Sequence, residues 1–215
     1  MIISTSRWQV LQATLEAWNK TGLPFLTLEN DTLLPIENVC ADDPGINYFV
    51  PFLAKHCAMP LESALWWWDV GIAFLGALIA IAGFWQLTQT KLQKAIVLVG
   101  VSLTSLVCWS IGDVYILPFF NVCLLPWLFV ILQKQSMKKL AMWSVCAGFV
   151  VAFTNVFRLH AGWMLAIAAV VAVVCAFKKI KPVVVLCFGL FFGISMFEGY
   201  FLYVMRQRNT YLTDR

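Results

Sequence analysis

The chain has 215 residues, 61% of them hydrophobic and 12% charged, with a mean hydropathy of +0.82 and a net charge of +4. A soluble domain carries about a quarter charged residues, so this composition excludes an ordinary soluble globule and points to an integral membrane protein. Nor is the positive balance a nucleic-acid signature, because the basic residues sit in short loops between apolar runs.

The first 69 residues are polar but contain aromatics. They open on MIISTSRWQV, which lacks the continuous apolar stretch of a signal peptide. Trp8, Leu11, Leu15 and Trp18 recur at helical spacing, which predicts a short amphipathic helix over residues 7–19, ended by Gly22 and Pro24. Residues 25–46 read as irregular. Residues 47–58, NYFVPFLAKHCA, predict an interfacial amphipathic helix broken or kinked at Pro51. Pro60 opens a second short helix carrying Trp66, Trp67 and Trp68, which read as an interfacial aromatic belt.

Six apolar runs follow, at 70–89, 95–111, 115–132, 140–157, 162–177 and 182–205. Several fall short of the roughly 20 residues of a straight span. Gly112-Asp113 separates the second from the third, and Arg158-Leu159-His160 the fourth from the fifth, so each pair reads as a tight helical hairpin with polar residues at its tip. Pro118 and Pro126 are positioned to break the third run. The expected fold is an all-α membrane protein of about six transmembrane helices. An extracytoplasmic region of short amphipathic helices over 1–69 precedes the bundle at 70–205, and an extracytoplasmic tail at 206–215 follows it.

Loop charge sets the orientation. The loops 90–94, 133–139 and 178–181 hold Lys91, Lys94, Lys134, Lys138, Lys139, Lys178, Lys179 and Lys181 and no acidic residue, which makes them cytoplasmic. Alternation then puts residues 1–69, the 112–114 and 158–161 tips and the tail outside, together with all five arginines. Of the seven cysteines, five lie in apolar runs, where a thiol behaves as a small hydrophobe. Cys40 and Cys57 flank an acidic stretch. Two free thiols there are favoured over a disulfide, which an oxidising compartment would allow.

The outer side also collects the candidate chemistry. Asp42 and Asp43 are adjacent and repel, which suits one of them to act as a base or as a metal ligand. Pro44-Gly45 turns the chain directly after them, and an ordinary loop turn explains the same residues. Asp113 is equally an N-cap for the next helix and a site residue. Arg158 offers a planar fork of donors that suits a phosphate. His160 can ligate or carry a proton, with an interfacial histidine as the simpler account. If the fourth helix continues past Arg158, Asn155, Arg158 and Gly162 share one face. Glu198 is a carboxylate inside the last run and a functional candidate by default. Arg206 and Arg208 follow it and can hold lipid head groups or a donor phosphate. Asn19-Lys20-Thr21 and Asn30-Asp31-Thr32 match the short N-glycosylation pattern. The sequence holds no Walker loop, dinucleotide fingerprint, paired CxxC spacing or GxSxG elbow.

The stretch Ala41-Asp42-Asp43-Pro44-Gly45-Ile46-Asn47-Tyr48-Phe49-Val50-Pro51 ahead of a helical hairpin resembles the first extracytoplasmic loop of GT-C fold glycosyltransferases, family 39-like. Asn155-Val156-Phe157-Arg158-Leu159-His160-Ala161-Gly162 is similar to an Arg-x-His-Ser/Ala-Gly segment of related bacterial membrane proteins. The resemblance covers most of residues 38–165. It implies sugar transfer from a polyprenyl-phosphate donor at the extracytoplasmic face of a bacterial inner membrane. Asp42 or Asp43 would serve as general base or hold a divalent metal, magnesium or manganese. Arg158 would bind the donor phosphate, with Arg206 and Arg208 behind it. Family members have a helix before the acidic loop and more spans or a soluble region after, so an N-terminal part of such an enzyme is expected. No nucleic-acid partner is expected, and a homo- or hetero-oligomer is left open. A transporter or flippase, and a non-catalytic membrane subunit, stand as alternatives.

Overall fold

The computed structural model describes residues 5–38, 45–111, 116–134, 136–157, 162–177 and 179–213. Helix α1 (Thr5–Thr21) leads into a hairpin of β1 (Leu26–Glu29) and β2 (Thr32–Pro35), a 3-10 turn at Ile36–Asn38 and helix α2 (Ile46–His56). The apolar helices follow as α3 (Leu61–Leu87), α4 (Lys91–Ile111), α5 (Ile116–Cys123), α6 (Leu125–Lys134), α7 (Met137–Phe157), α8 (Trp163–Phe177) and α9 (Ile180–Thr213). Among the described residues, four helices are long and apolar enough to cross a membrane, within Leu61–Leu87, Lys91–Ser110, Met137–Phe157 and Ile180–Thr213. Two apolar stretches, Phe119–Lys134 and Trp163–Phe177, are shorter. Six apolar helical segments are therefore present, and four of them meet the length of a span.

Several expectations change. Residues 25–46 are not all irregular: β1 and β2 pair antiparallel, Leu26 with Pro35 and Glu29 with Thr32. The loop between them is Asn30-Asp31, both at positive φ (48° and 61°). Asn and Asp tolerate that conformation, and two such residues match the right-handed twist of a two-residue hairpin. Pro51 does not break α2, which runs through it. The tryptophan helix and the first apolar run form one helix of 27 residues, because nothing between Trp68 and Val70 interrupts the backbone pattern. Helix α4 begins before the apolar run: Thr90 Oγ1 accepts from the Gln93 amide at 3.2 Å, and Gln93 Oε1 accepts from the Gln89 and Thr90 amides at 3.0 and 3.1 Å. That reciprocal arrangement is a capping box. The third run is broken at Leu124, next to Pro126, which has no N–H to give to the preceding turn, whereas Pro118 lies inside α5 and does not interrupt it. Residues 206–213, the described part of the expected tail, are helical and continue α9, a helix of 34 residues.

Register contacts fix the directions. Ser105 Oγ donates to the Ala73 carbonyl at 3.0 Å, and Lys94 Nζ lies 4.6 Å from the centre of the Trp85 ring, so α3 and α4 are antiparallel. Gly76 lies against Phe119, Phe120 and Cys123, and Gly83 against Pro126 and Trp127, so α3 runs parallel to α5 and α6. Helices α7 and α9 are also parallel and make the most extensive contact of the bundle. Ser144 and Gly148 of α7 meet Gly189 and Gly193 of α9 with backbone nearly touching backbone. Small residues four apart on both helices permit that approach, and dispersion at close range stabilises it where lipid offers no hydrophobic drive. The turns after α3, α6 and α8 thus share one end with Lys91, Lys94, Lys134, Lys138, Lys139, Lys179 and Lys181 at or beside them.

The opposite end carries a cap of α1, the hairpin and α2. Trp18, Phe25, Ile36 and Tyr48 of the cap bury against Ala152 of α7 and Phe197, Phe201 and Val204 of α9. Phe25 stacks on Tyr48 with ring centres 4.8 Å apart, and Tyr48 on Trp18 at 5.4 Å. Aromatic rings of this kind bury large areas and add stacking on top. Lys55 Nζ ties α2 back to α1 through the Trp18 carbonyl at 3.0 Å.

Candidate functional site

The cap meets the bundle at Gly45. Its amide donates to the Val156 carbonyl at 2.9 Å, and its backbone lies under the Phe157 ring. A Cβ there would sit 2.7–2.9 Å from that ring, so the approach requires glycine. Gly45 is the residue that follows Asp42-Asp43-Pro44, and Val156-Phe157 directly precede Arg158.

One apolar cluster lies behind this seam. Ile46 of α2, Leu117 of α5 and Phe157 of α7 are all fully buried in it, with Val50, Leu65 and Ala73. Trp68 stacks on Phe157 at 5.1 Å, and Phe49 stacks on both Trp68 (5.4 Å) and Phe157 (5.2 Å). The described residues that border 39–44, 112–115 and 158–161 therefore pack together. Those three segments carry Asp42 and Asp43, Asp113, and Arg158 and His160. These five candidates, with Cys40, lie outside the described residues.

The residues on either side of 158–161 are joined directly. Helix α7 is described as far as Phe157, and Asn155 Oδ1 accepts the Gly162 amide at 2.8 Å. Asn155 and Gly162 are thus joined by a side chain-to-backbone bond rather than by sharing a helical face. Below them Thr154 Oγ1 donates to the buried Asn121 Oδ1 at 3.0 Å, linking α7 to α5.

The remaining candidates stand apart from this cluster. Glu198 is exposed on α9, beside Phe197, which faces the cap. Arg206 is exposed two turns further on. Arg208 is buried; it donates to the Phe25 carbonyl (Nη1, 3.4 Å) and to Asn209 Oδ1 (Nη2, 2.9 Å), which makes it a clasp between α9 and the hairpin. Tyr48 and Tyr200 share a hydroxyl hydrogen bond at 2.8 Å; burial first, and then that bond, push the Tyr48 phenol above its usual range. Cys57 is an exposed free thiol, in line with the favoured reading. Among the described residues no group of three or more His, Cys, Asp or Glu side chains comes together to hold a metal ion.

Asp69 was missed by sequence reasoning. Its side chain is fully buried, and neither carboxyl oxygen has a hydrogen-bond partner among the described residues. One turn to either side, Leu65 and Ala73 of the same helix face the apolar cluster. Spacing held the signal: Leu61, Leu65, Asp69, Ala73 and Gly76 recur at helical period and are all buried.

On the other flank of α3 an apolar groove of about 480 Å³ runs between α3 and α4. Trp66 and Trp109 stand at its capped end, and Val70, Phe74, Ala77 and Leu106 line its length.

No known protein-family model matches the chain, and neither a curated protein nor a solved structure matches it at a significant level.

Proposed function

We propose that the chain is a membrane glycosyltransferase, or the N-terminal part of one, that moves a sugar from a polyprenyl-phosphate donor to an acceptor at the extracytoplasmic face. The observation that carries this reading is the seam itself: the Gly45–Val156 hydrogen bond and the joint burial of Ile46, Leu117 and Phe157. It brings together the borders of the three segments whose side chains the reaction needs. The lysine-bearing turns lie at the other end, and the positive-inside rule makes that end cytoplasmic. The groove beside Trp66 and Trp109 supports a donor whose tail is an isoprenoid chain.

In this reaction Asp42 or Asp43 takes the proton of the acceptor hydroxyl as its oxygen attacks the anomeric carbon. The bond from that carbon to the phosphate oxygen breaks, and the electron pair leaves with the polyprenyl phosphate. Arg158 stabilises the charge on that leaving phosphate through its guanidinium. Asp113 adds a second carboxylate, and His160 assists proton movement. A divalent magnesium or manganese ion on Asp42 and Asp43 is the alternative use of that pair. Arg206 stays available for lipid head groups, whereas Arg208 is engaged with the hairpin.

Proteoliposomes supplied with a radiolabelled polyprenyl-phosphate hexose test the reading. Loss of the base lowers transfer by about 10²–10⁴-fold, so Asp42→Asn or Asp43→Asn falls in that range, and Arg158→Gln falls with it. Full transfer in both aspartate variants excludes the assigned base. The break between α5 and α6 at Leu124 favours the second reading, a transporter, because discontinuous helices line many transport sites. Substrate flux without sugar transfer would select it.

A further inference from the structure

Helix α9 is long enough to join the two head-group layers of a bilayer. Lys181 lies near its start, among the lysine-bearing turns, and at 1.5 Å per residue the rise from there to Arg206 is about 37 Å. That exceeds a hydrocarbon core of about 30 Å and stays within the roughly 40–45 Å that includes the head groups. With Lys181 among the head groups of one leaflet, Arg206 stands at the phosphates of the other. Tyr200 and Tyr203, both exposed, lie just below it, where an interfacial aromatic belt belongs.

At this level α9 borders a pocket of about 480 Å³. Leu202 and Met205 give it an apolar lower end, and Arg206, Arg208 and Asn209 follow along the helix. No acidic side chain lines it among the described residues. The chemistry of its rim is set from behind. Arg208 has donors only, and its Nε and Nη2 both reach Asn209 Oδ1, at 3.1 and 2.9 Å. The oxygen of Asn209 is therefore turned to Arg208, and its NH₂ group is the end left for a ligand. Arg206, one turn away on the same face, adds an exposed guanidinium. Two donor groups above an apolar floor, with a second guanidinium behind them, fit an anionic oxygen carried on an acyl chain.

We propose that Arg206 and Asn209 bind the phosphate of an anionic phospholipid, whose acyl chain follows Leu202 and Met205 down α9. Arg208 is a positioning residue that orients the Asn209 amide. The site lies on α9, apart from the seam, and does not depend on the transferase reading.

The test is thermal melting of the full chain in neutral detergent, followed by tryptophan fluorescence. The probes are phosphatidylglycerol, diacylglycerol with the same chains, and inorganic phosphate. Phosphatidylglycerol should raise the melting temperature in a saturable way, and the other two should not. Arg206→Gln should raise the half-saturating lipid fraction about tenfold or more, in keeping with loss of a charged hydrogen bond. Asn209→Asp keeps the acceptor for Arg208 but turns a negative oxygen toward the lipid. It should melt no lower than the wild type without lipid and lose the lipid-dependent rise. Gln207→Glu adds the same charge at the same height on another face of α9, and should keep that rise. The assignment is overturned if phosphatidylglycerol gives no rise, if Arg206→Gln binds as the wild type does, or if Gln207→Glu loses as much as Asn209→Asp. An equal rise with diacylglycerol removes the phosphate contact, and an equal rise with inorganic phosphate removes the lipid; either result overturns it too.

Discussion

The α7–α9 crossing predicts opposite effects for one substitution made twice on the same helix. At Gly193 an added methyl would fall on the Val145 carbonyl oxygen, 2.7 Å from the Phe149 amide nitrogen and 3.1 Å from the Gly148 carbonyl carbon. All three are backbone atoms of α7, so no side-chain rotation relieves the collision and the helices must separate. Overpacking costs about 1–3 kcal/mol, and a backbone collision belongs near 3. Alanine recovers about 1 kcal/mol in helix propensity, which leaves Gly193→Ala about 2 kcal/mol less stable. At Gly199, also in α9, nothing lies within 4 Å of an added methyl. Gly199→Ala therefore keeps the propensity gain alone, about 1 kcal/mol stabilising. For a chain of this size each kcal/mol moves the melting temperature by about 2–4 °C. The two variants should then melt roughly 6–12 °C apart, one on each side of the wild type. Intrinsic tryptophan fluorescence during a thermal ramp in detergent reads this directly. If both variants shift in the same direction, the two helices do not approach as closely as described.

Two further outcomes follow from the cap and from the orientation. Arg208→Gln removes a charged donor from the Phe25 carbonyl, a bond of about 1.5–3 kcal/mol, and should speed hydrogen exchange across residues 22–36 about tenfold or more; Arg206→Gln, on the exposed side, should leave exchange unchanged. With Cys57 as the sole thiol, an impermeant maleimide should label intact cells, whereas Gln89→Cys as the sole thiol should react after permeabilisation; the reverse pattern places the lysine turns outside and removes the basis of the proposed site.

Hydropathy made the long helices legible, because an apolar run such as that in Met137–Phe157 admits little else. It misjudged their ends for identifiable reasons. The capping box of Thr90 and Gln93 starts α4 on polar residues that hydropathy discounts. The last turns of α9 are polar too, and Arg208 holds them against the hairpin. The hairpin escaped notice because its strands have four residues each and its turn is Asn-Asp, not the stronger Asn-Gly signal. Asp69 stands one residue ahead of the apolar run that begins at Val70, so hydropathy marks it as a flank, whereas it is a buried residue of α3. The candidate motifs were readable as short polar islands. That Gly45, Leu117 and Phe157 come together was not, since the pairs lie tens to more than a hundred residues apart and no local pattern encodes them.

The seam at Gly45 joins two kinds of packing. Below it, α7 and α9 are held by close backbone approach between small residues, which works inside lipid. Above it, the cap is held by stacked aromatic rings and by hydrogen bonds such as Tyr48 to Tyr200, which depend on removing apolar surface from water. Helix α9 spans both regimes: 34 residues at 1.5 Å each reach about 51 Å, well beyond a hydrocarbon core of about 30 Å. The length in excess of the core carries Phe201, Val204 and Arg208 to the cap. The placement of Gly45 on Val156 is thus fixed from both sides, by a rod rooted in the bundle and by an aromatic stack that rides on its end. The seam therefore takes its rigidity from the bundle as well as from the cap.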